Sequence, residues 1–370
     1  MRYLIFTNTP AHVHLYRNLV GRLEADGHDV LVLGRDYGCT HALLEYYDLP
    51  FELYGRQGTS FGSLVANAPR QFASIARRAR SFDPDVIFGR GAYAAFAGVV
   101  TNTPPVLVLD SEPSDLAHAV SSRFARAVLT PVAFDGVLGS HHYRFEGLTE
   151  CAYLHPDVRS AGSDRSRSAE ASSDVHADLG LDPGEPFAIV RFNAFDALHD
   201  VGASGETRAA RRRLLEELAE HATVFVSDEG GTLDFDAVPA RPYDLHPGRI
   251  HDALAAADLL VADTGTMVTE AALLGTPAVR FVDATEPEMG EFRELEDAGL
   301  VVQHTNFERV RDSCVELLAD EAASERWARR REAYLADKPD LTALLREVAE
   351  RPDAVADLGP ASKLRPAVVR

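Results

Sequence analysis

The sequence predicts an α/β protein made of two Rossmann-like parallel-sheet domains that face one another across a cleft. Three observations carry this. Short apolar runs alternate with helix-like periodicity through both halves of the 370-residue chain. The alternation breaks once, at residues 159–174 (RSAGSDRSRSAEASSD), which are rich in Ser, Ala and charge and almost without large apolar side chains. Residues 257–282, ADLLVADTGTMVTEAALLGTPAVRFV, parse as strand, turn, helix, turn, strand.

In chain order, residues 2–7 make a first strand that ends in Asn8-Thr9-Pro10-Ala11-His12-Val13-His14. Leu15, Leu19 and Leu23 follow at four-residue steps, and Gly27 stops that helix. Strands are expected at 29–33, 50–54, 86–88 and 106–109, with helices at 37–47 and 61–82 and another after Gly89-Arg90-Gly91. Ser60 is placed to cap the long helix, whose Leu64, Phe72, Ile75 and Ala79 keep largely to one face. His141-His142 reads as a loop dipeptide.

After the Ser-rich segment come strand 187–192, helix 208–221, strand 223–227 and a turn at Asp228-Glu229-Gly230-Gly231. Beyond residue 282 a helix at 288–298, a strand at 300–303 and helices to 350 are expected, with a loosely ordered tail from Arg351. The domains are accordingly 1–158, a linker at 159–175, 176–340, and a C-terminal helix and tail at 341–370.

Composition narrows the function. The chain is 46% hydrophobic and 25% charged, as a globular protein is, and has no apolar run of spanning length. A formal charge of -20 argues against bulk attraction to nucleic acid or anionic membranes. Lys338 and Lys363 are the only lysines, and such an acidic surface resembles proteins of a high-salt cytoplasm, where repulsion is screened over roughly 3 Å. Cys39, Cys151 and Cys314 are too few and too scattered for a disulfide framework or a zinc cluster, which fits a reducing cytoplasm.

The 257–282 unit supplies the binding chemistry. Asp263-Thr264-Gly265-Thr266 separates an apolar strand from a helix at 267–274 that Gly275 stops. Free amides and little bulk around Gly265 suit a phosphate. Glu270, about a turn and a half into the helix, is spaced to accept hydrogen bonds from a ribose diol. An ordinary βαβ turn with a solvated glutamate is the competing reading.

Residues 258–277 resemble two known patterns. One is the S-G-A-L-T-x-x-E segment of the lipid-linked muramyl-peptide N-acetylglucosaminyltransferase; the other is the D-S-G-G-x-x-E-E stretch of the non-hydrolysing UDP-N-acetylglucosamine 2-epimerase. Further motifs are similar to those of domain of unknown function 354: Pro10-Ala11-His12-Val13-His14, Arg35-Asp36-Tyr37-Gly38, GLTECAYL at 147–154, Arg191-Phe192 with Ala197-Leu198-His199-Asp200, and Ile250-His251-Asp252. The resemblance implies a GT-B fold, with 1–158 taking the acceptor and 176–340 the nucleotide sugar.

What it implies for residues follows. Thr264, Gly265, Thr266 and Met267 would hold the diphosphate and Glu270 the ribose. Arg191 and His199 would join the diphosphate, and Ile250 and His251 would meet the base through main-chain groups. His12 matches the histidine of the transferase's G-G-H-V turn and is the leading base or orienting group, with capping or packing as the alternative. Glu112 resembles the acid of the epimerase's V-E-A-G turn; it is the second catalytic candidate, a helix cap being its simpler role. Asn8, His14 and Arg90 complete the acceptor side, Arg90 having Asp85 as an alternative partner.

The His-x-His pair at His12 and His14 lacks a third ligand at metal spacing, so no metal and no cofactor are expected. The implied activity is metal-independent transfer of a sugar from a nucleotide sugar, UDP-linked by the resemblance, to a glycan or lipid-linked acceptor. The expected setting is cytoplasmic with peripheral membrane contact, for which the amphipathic surface at 61–82 is the candidate, although a core-facing stripe explains that surface as well. A sugar-nucleotide 2-epimerase is the runner-up, weakened by Asn8-Thr9-Pro10 and Gly89-Arg90-Gly91, which lack the epimerase's arginine and H-G-D acid. A non-catalytic nucleotide-sugar-binding protein is the third reading.

Overall fold

The computed structural model describes residues 1–56, 61–110, 115–160, 175–192, 205–228, 233–358 and 364–367. The chain divides into two compact units. The first is Met1–Ser168 with Met289–Glu291 and Lys338–Arg370, and the second is Ala169–Glu288 with Phe292–Asp337. Most of the Ser-rich linker, and Ser60 and the 229–231 turn, lie outside the described residues.

In the first unit the strands are β1 (Arg2–Thr7), β2 (Asp29–Asp36), β3 (Phe51–Arg56), β4 (Val86–Gly89), β5 (Val106–Val108), β6 (Ala127–Pro131) and β7 (His142–Phe145). In the second they are β8 (Phe187–Arg191), β9 (Thr223–Ser227), β10 (Arg241–Pro242), β11 (Leu259–Ala262), β12 (Ala278–Phe281) and β13 (Val301–His304). The chain then returns to the first sheet with β14 (Leu364–Pro366). The first sheet runs β14-β7-β6-β5-β4-β1-β2-β3 and the second β10-β9-β8-β11-β12-β13. The described pairings are parallel except β14 on β7.

Both sheets are doubly wound, as the alternation of strand and helix requires. Their central strands show why: Leu4, Ile5 and Phe6 on β1, and Ala188, Ile189 and Val190 on β8, are fully buried. In each unit the first strand lies where the winding reverses, between β2 and β4 in one and between β9 and β11 in the other. The loops leaving adjacent strands diverge at such a switch point and open a crevice. His12 and Arg90 follow β1 and β4, while Arg191 and Thr264 stand at or after the ends of β8 and β11. Topology thus takes these candidate residues to the switch point of their own sheet.

The tail corrects one expectation. Residues after Arg351 read as loose because Pro and Gly interrupt the pattern, yet Leu364 pairs with Phe145 and Pro366 with Tyr143 in β14. The preceding helix, Leu341–Glu350, also belongs to the first unit. It is capped by Asp340, whose carboxylate accepts from the Ala343 amide at 3.0 Å. It buries Leu341, Leu344, Leu345 and Val348. Arg22 donates to Asp340 at 2.7 Å, Thr342 to the Ala152 carbonyl at 2.6 Å, and Tyr3 to the Ala349 carbonyl at 3.3 Å.

His142 is a second correction. It lies in β7 and is buried, with Nε2 2.9 Å from the Thr130 hydroxyl and Nδ1 accepting from the Leu138 amide at 3.1 Å. Burial, and secondarily Arg144, push its pKa down to about 4. Among the described residues no helix is long and apolar enough to cross a membrane.

Candidate functional site

The second unit builds its site at the end of β11. Thr264 has extended backbone (φ -96°, ψ 141°) and its side chain makes no capping bond to the helix Gly265–Leu274. Its Oγ1 is buried without a hydrogen-bond partner among the described residues. A helix start whose amides no side chain caps, beside an unsatisfied hydroxyl, is suited to an anion that supplies the missing acceptors. The residue that starts this helix is Gly265: a Cβ there would lie 3.0 Å from Cζ of Phe292, so that ring would have to give way by a few tenths of an ångström. Phe292 is itself held by Arg280, whose guanidinium carbon is 3.7 Å from the ring centroid. Thr266 is exposed, whereas the Met267 side chain is buried, so Met267 offers only its main chain. At the far end, Gly275 takes a left-handed φ of +86° and closes the helix through its amide.

Arg191 stands beside this turn, paired in register with Ala262. Its carbonyl accepts from the Asp263 amide at 3.2 Å, which ties the two strand ends together. Its guanidinium reaches the Ser227 hydroxyl only at 3.5 Å, and the expected link to the 196–200 loop falls outside the described residues, as does His199. Asp263 lies 3.8 Å from Arg211, which also sits over the Phe192 ring.

Glu270 is buried, with Oε1 3.0 Å from Nε2 of His251. The burial rules against the competing reading of Glu270 as a solvated helix residue. The pairing arises because His251, on the helix Ile250–Ala256, faces the helix that carries Glu270. A buried carboxylate requires such a partner. Ile250 is half-buried at the start of its helix, next to Arg249, which pairs with Asp178 at 2.9 Å and Asp252 at 3.0 Å.

In the first unit, polar groups gather where β1, β2, β4 and β5 end. The Asn8 amide donates to His12 Nδ1 at 3.1 Å. Asn8 Oδ1 accepts from the Tyr54 hydroxyl at 2.8 Å, and its carbonyl accepts from Arg35 at 3.1 and 3.2 Å. Because Nδ1 accepts, the neutral imidazole carries its proton on Nε2 and presents a donor there. That geometry suits orienting an oxygen; acting as a base from Nε2 would require breaking the Asn8 bond. Burial, then Arg90 and Arg35, hold the His12 pKa well below the usual range, which keeps the ring neutral.

Arg90 pairs with Asp110 in a two-pronged contact, and Asp110 also accepts from the Thr149 hydroxyl at 3.0 Å. Asp85, the partner weighed from sequence, instead accepts from the Arg2 amide at 2.7 Å. Burial lowers the Arg90 pKa from its ordinary value. His14 is buried between the rings of Tyr47 and Tyr153, with Arg17 3.4 Å from its Nδ1. Glu112 lies outside the described residues. Arg35, Asp110 and Thr149 had no assigned role from sequence; the signal for Asp110 was its position directly after the strand expected at 106–109, beside a strand followed by Arg90-Gly91.

Known proteins share this architecture. A UDP-N-acetylglucosamine–N-acetylmuramyl-(pentapeptide) pyrophosphoryl-undecaprenol N-acetylglucosamine transferase of Burkholderia mallei is 28% identical over 331 residues, 84% of each chain. The UDP-GlcNAc 2-epimerase from Neisseria meningitidis, solved with UDP-GlcNAc, superposes with a TM-score of 0.68 at 11% identity, over 95% of this chain and 100% of that one. The glycosyltransferase VinC, solved with DTDP, gives 0.60 at 14% identity over 97% and 100%. The fold is therefore the GT-B fold of glycosyltransferases and these epimerases. Residues 3–159 match the model of the protein family of unknown function DUF354.

Proposed function

We propose that the protein is a GT-B glycosyltransferase that takes a sugar from a nucleotide donor, UDP-linked, and passes it to a hydroxyl of a glycan or lipid-linked acceptor in the cytoplasm. The observation that carries this reading is the uncapped turn at Thr264–Gly265 on the same helix as buried Glu270. It combines an anion site and a diol acceptor at a sheet switch point. Thr264, Gly265, Thr266 and the Met267 amide would hold the diphosphate, with Arg191 offsetting charge on the leaving group. On this reading no metal or cofactor is needed, because amides and guanidinium neutralise that charge. Glu270, oriented by His251, would take the ribose. In the first unit His12, held by Asn8, would orient the acceptor hydroxyl or donor phosphate through Nε2–H, and the Arg90–Asp110–Thr149 group would keep that end of the sheet in place.

A 2-epimerase is the second reading, favoured by the closer superposition of the Neisseria enzyme. Incubation with labelled UDP- and GDP-sugars separates the two. Transfer, or slow hydrolysis with free nucleotide, supports the transferase, while an altered sugar still joined to nucleotide supports the epimerase. Tight binding without turnover would mark a nucleotide-sugar-binding protein instead.

A further inference from the structure

We propose that the groove between β3 and the helix Phe61–Phe82 binds an acidic glycan bearing one anionic group on alternate sugars. Its role as acceptor rests on the glycosyl-transfer reading; its preference for an anionic saccharide does not. The groove has a volume of about 680 Å³, and its lining includes Arg56, Asn67, Arg70, Gln71, Ser74 and Arg77 but no carboxylate. In a chain with 57 acidic and 37 basic residues, three arginines lining one cavity, of which only Arg56 has a carboxylate partner among the described residues, are a local reversal of sign.

The helix sets the pattern. Asn67, Arg70, Ser74 and Arg77 recur at steps of three, four and three residues, which puts them along one face. Arg70 and Arg77 are about 10 Å apart along the axis, so they present charge along a line rather than around a point. Both are exposed, and among the described residues neither has a carboxylate partner. Arg56, on the strand wall, pairs with Asp36 at 2.7 Å through a side chain that is 81% exposed. Ser74 lies between Arg70 and Arg77 along the helix, and Asn67 one turn before Arg70, as neutral groups for hydroxyls. A concave slot with charges in a row fits an extended chain better than the flat surface of a bilayer or one compact phosphate.

One groove residue is hydrogen-bonded to the polar cluster. Tyr54 lines the groove and donates to Asn8, whose amide holds His12. Gln71, in the helix wall, accepts from Tyr93 at 2.9 Å, and Tyr93 lies under Arg35. A saccharide seated in the groove would therefore meet a wall tied to the His12 cluster.

The test is calorimetric binding of a hyaluronate decasaccharide, which carries one carboxylate per disaccharide, to the full chain. Its carboxyl-reduced form is the neutral control. The acidic decasaccharide should bind at least tenfold more tightly than the control. Arg70→Glu with Arg77→Glu should weaken it at least tenfold while leaving UDP affinity and Tm unchanged. Equal binding of the two saccharides, or full binding by the double variant, would overturn the proposal. Binding of anionic phosphatidylglycerol vesicles, lost in the double variant, without saccharide binding would also overturn it and make the groove a membrane contact. Saccharide binding that depends on both arginines, in a protein showing no sugar transfer, would overturn the transferase reading and leave the groove assignment standing.

Discussion

His251 and Glu270 meet at 3.0 Å with both side chains buried, from different helices. The carboxylate proposed to hold ribose is therefore positioned by a neighbouring imidazole. Hydrogen bonds to a charged group contribute about 1.5–3 kcal/mol. Glu270→Ala should thus raise the Kd for UDP by about 10–100-fold, measured calorimetrically, and unchanged affinity would remove the ribose assignment. His251→Ala leaves the carboxylate short of a buried partner and should cost about 1–3 kcal/mol of stability in urea unfolding.

Gly265 answers to space. A methyl there would press on Phe292 at 3.0 Å while removing a glycine from a helix, a gain of up to about 1 kcal/mol. Gly265→Ala should therefore change stability by less than about 1 kcal/mol yet weaken UDP binding. Gly265→Val should lose about 1–3 kcal/mol of stability as well. Chemical denaturation and calorimetry on the same preparations separate these effects.

His12 should not give the enzyme an acidic limb near its ordinary value of 6.5. Its lowered pKa means that the neutral ring persists as pH falls through that value. Turnover that depends on neutral His12 should stay level there and decline only at lower pH. A kcat profile that halves near pH 6.5 in the wild type, and loses that step in His12→Gln, would contradict this. His12→Ala should reduce kcat while leaving nucleotide affinity intact.

Arg90 and Asp110 are each mostly buried, at 15% and 17% exposed. Asp110→Ala strands the guanidinium and removes the acceptor for Thr149, so it should destabilise the protein by about 2–4 kcal/mol. Removing Arg90 in the same chain should restore part of the loss, since the stranded charge goes with it. A double-mutant cycle in urea reads the coupling.

His142 links stability to acid. Its folded pKa of about 4 lies below the ordinary 6.5, so the unfolded chain takes up its proton first as pH drops. This contribution is fully present above about 6.5 and is lost progressively down to about pH 4. His142→Asn should flatten the pH dependence of the urea midpoint across that window, and an unaltered slope would refute the assignment.

Much of the architecture was legible because it rests on local signals. The apolar run of β11, the glycine stop at Gly275 and the leucine steps after His14 each declare an element within a few residues. What was missed depends on partners distant in sequence. β14 exists by pairing with β7, more than two hundred residues earlier, and no periodicity within three residues can announce it. The Arg90–Asp110 pair needs β4 and β5 side by side, and Glu270 finds His251 only once two helices pack. The conformation of the Asn8–His12 turn, and with it the tautomer of the ring, is a property of the folded backbone.

The return of residues 338–366 to the first sheet has a consequence for how this molecule is made and divided. A fragment ending near residue 160 would expose an unpaired β7 and the bare flank of the helix Pro10–Ala25, so it should precipitate rather than behave as a free-standing lobe. On the ribosome the earlier lobe must wait, incomplete, while the later one is synthesised. A minimal version of it would splice the 338–367 segment directly onto residue 160.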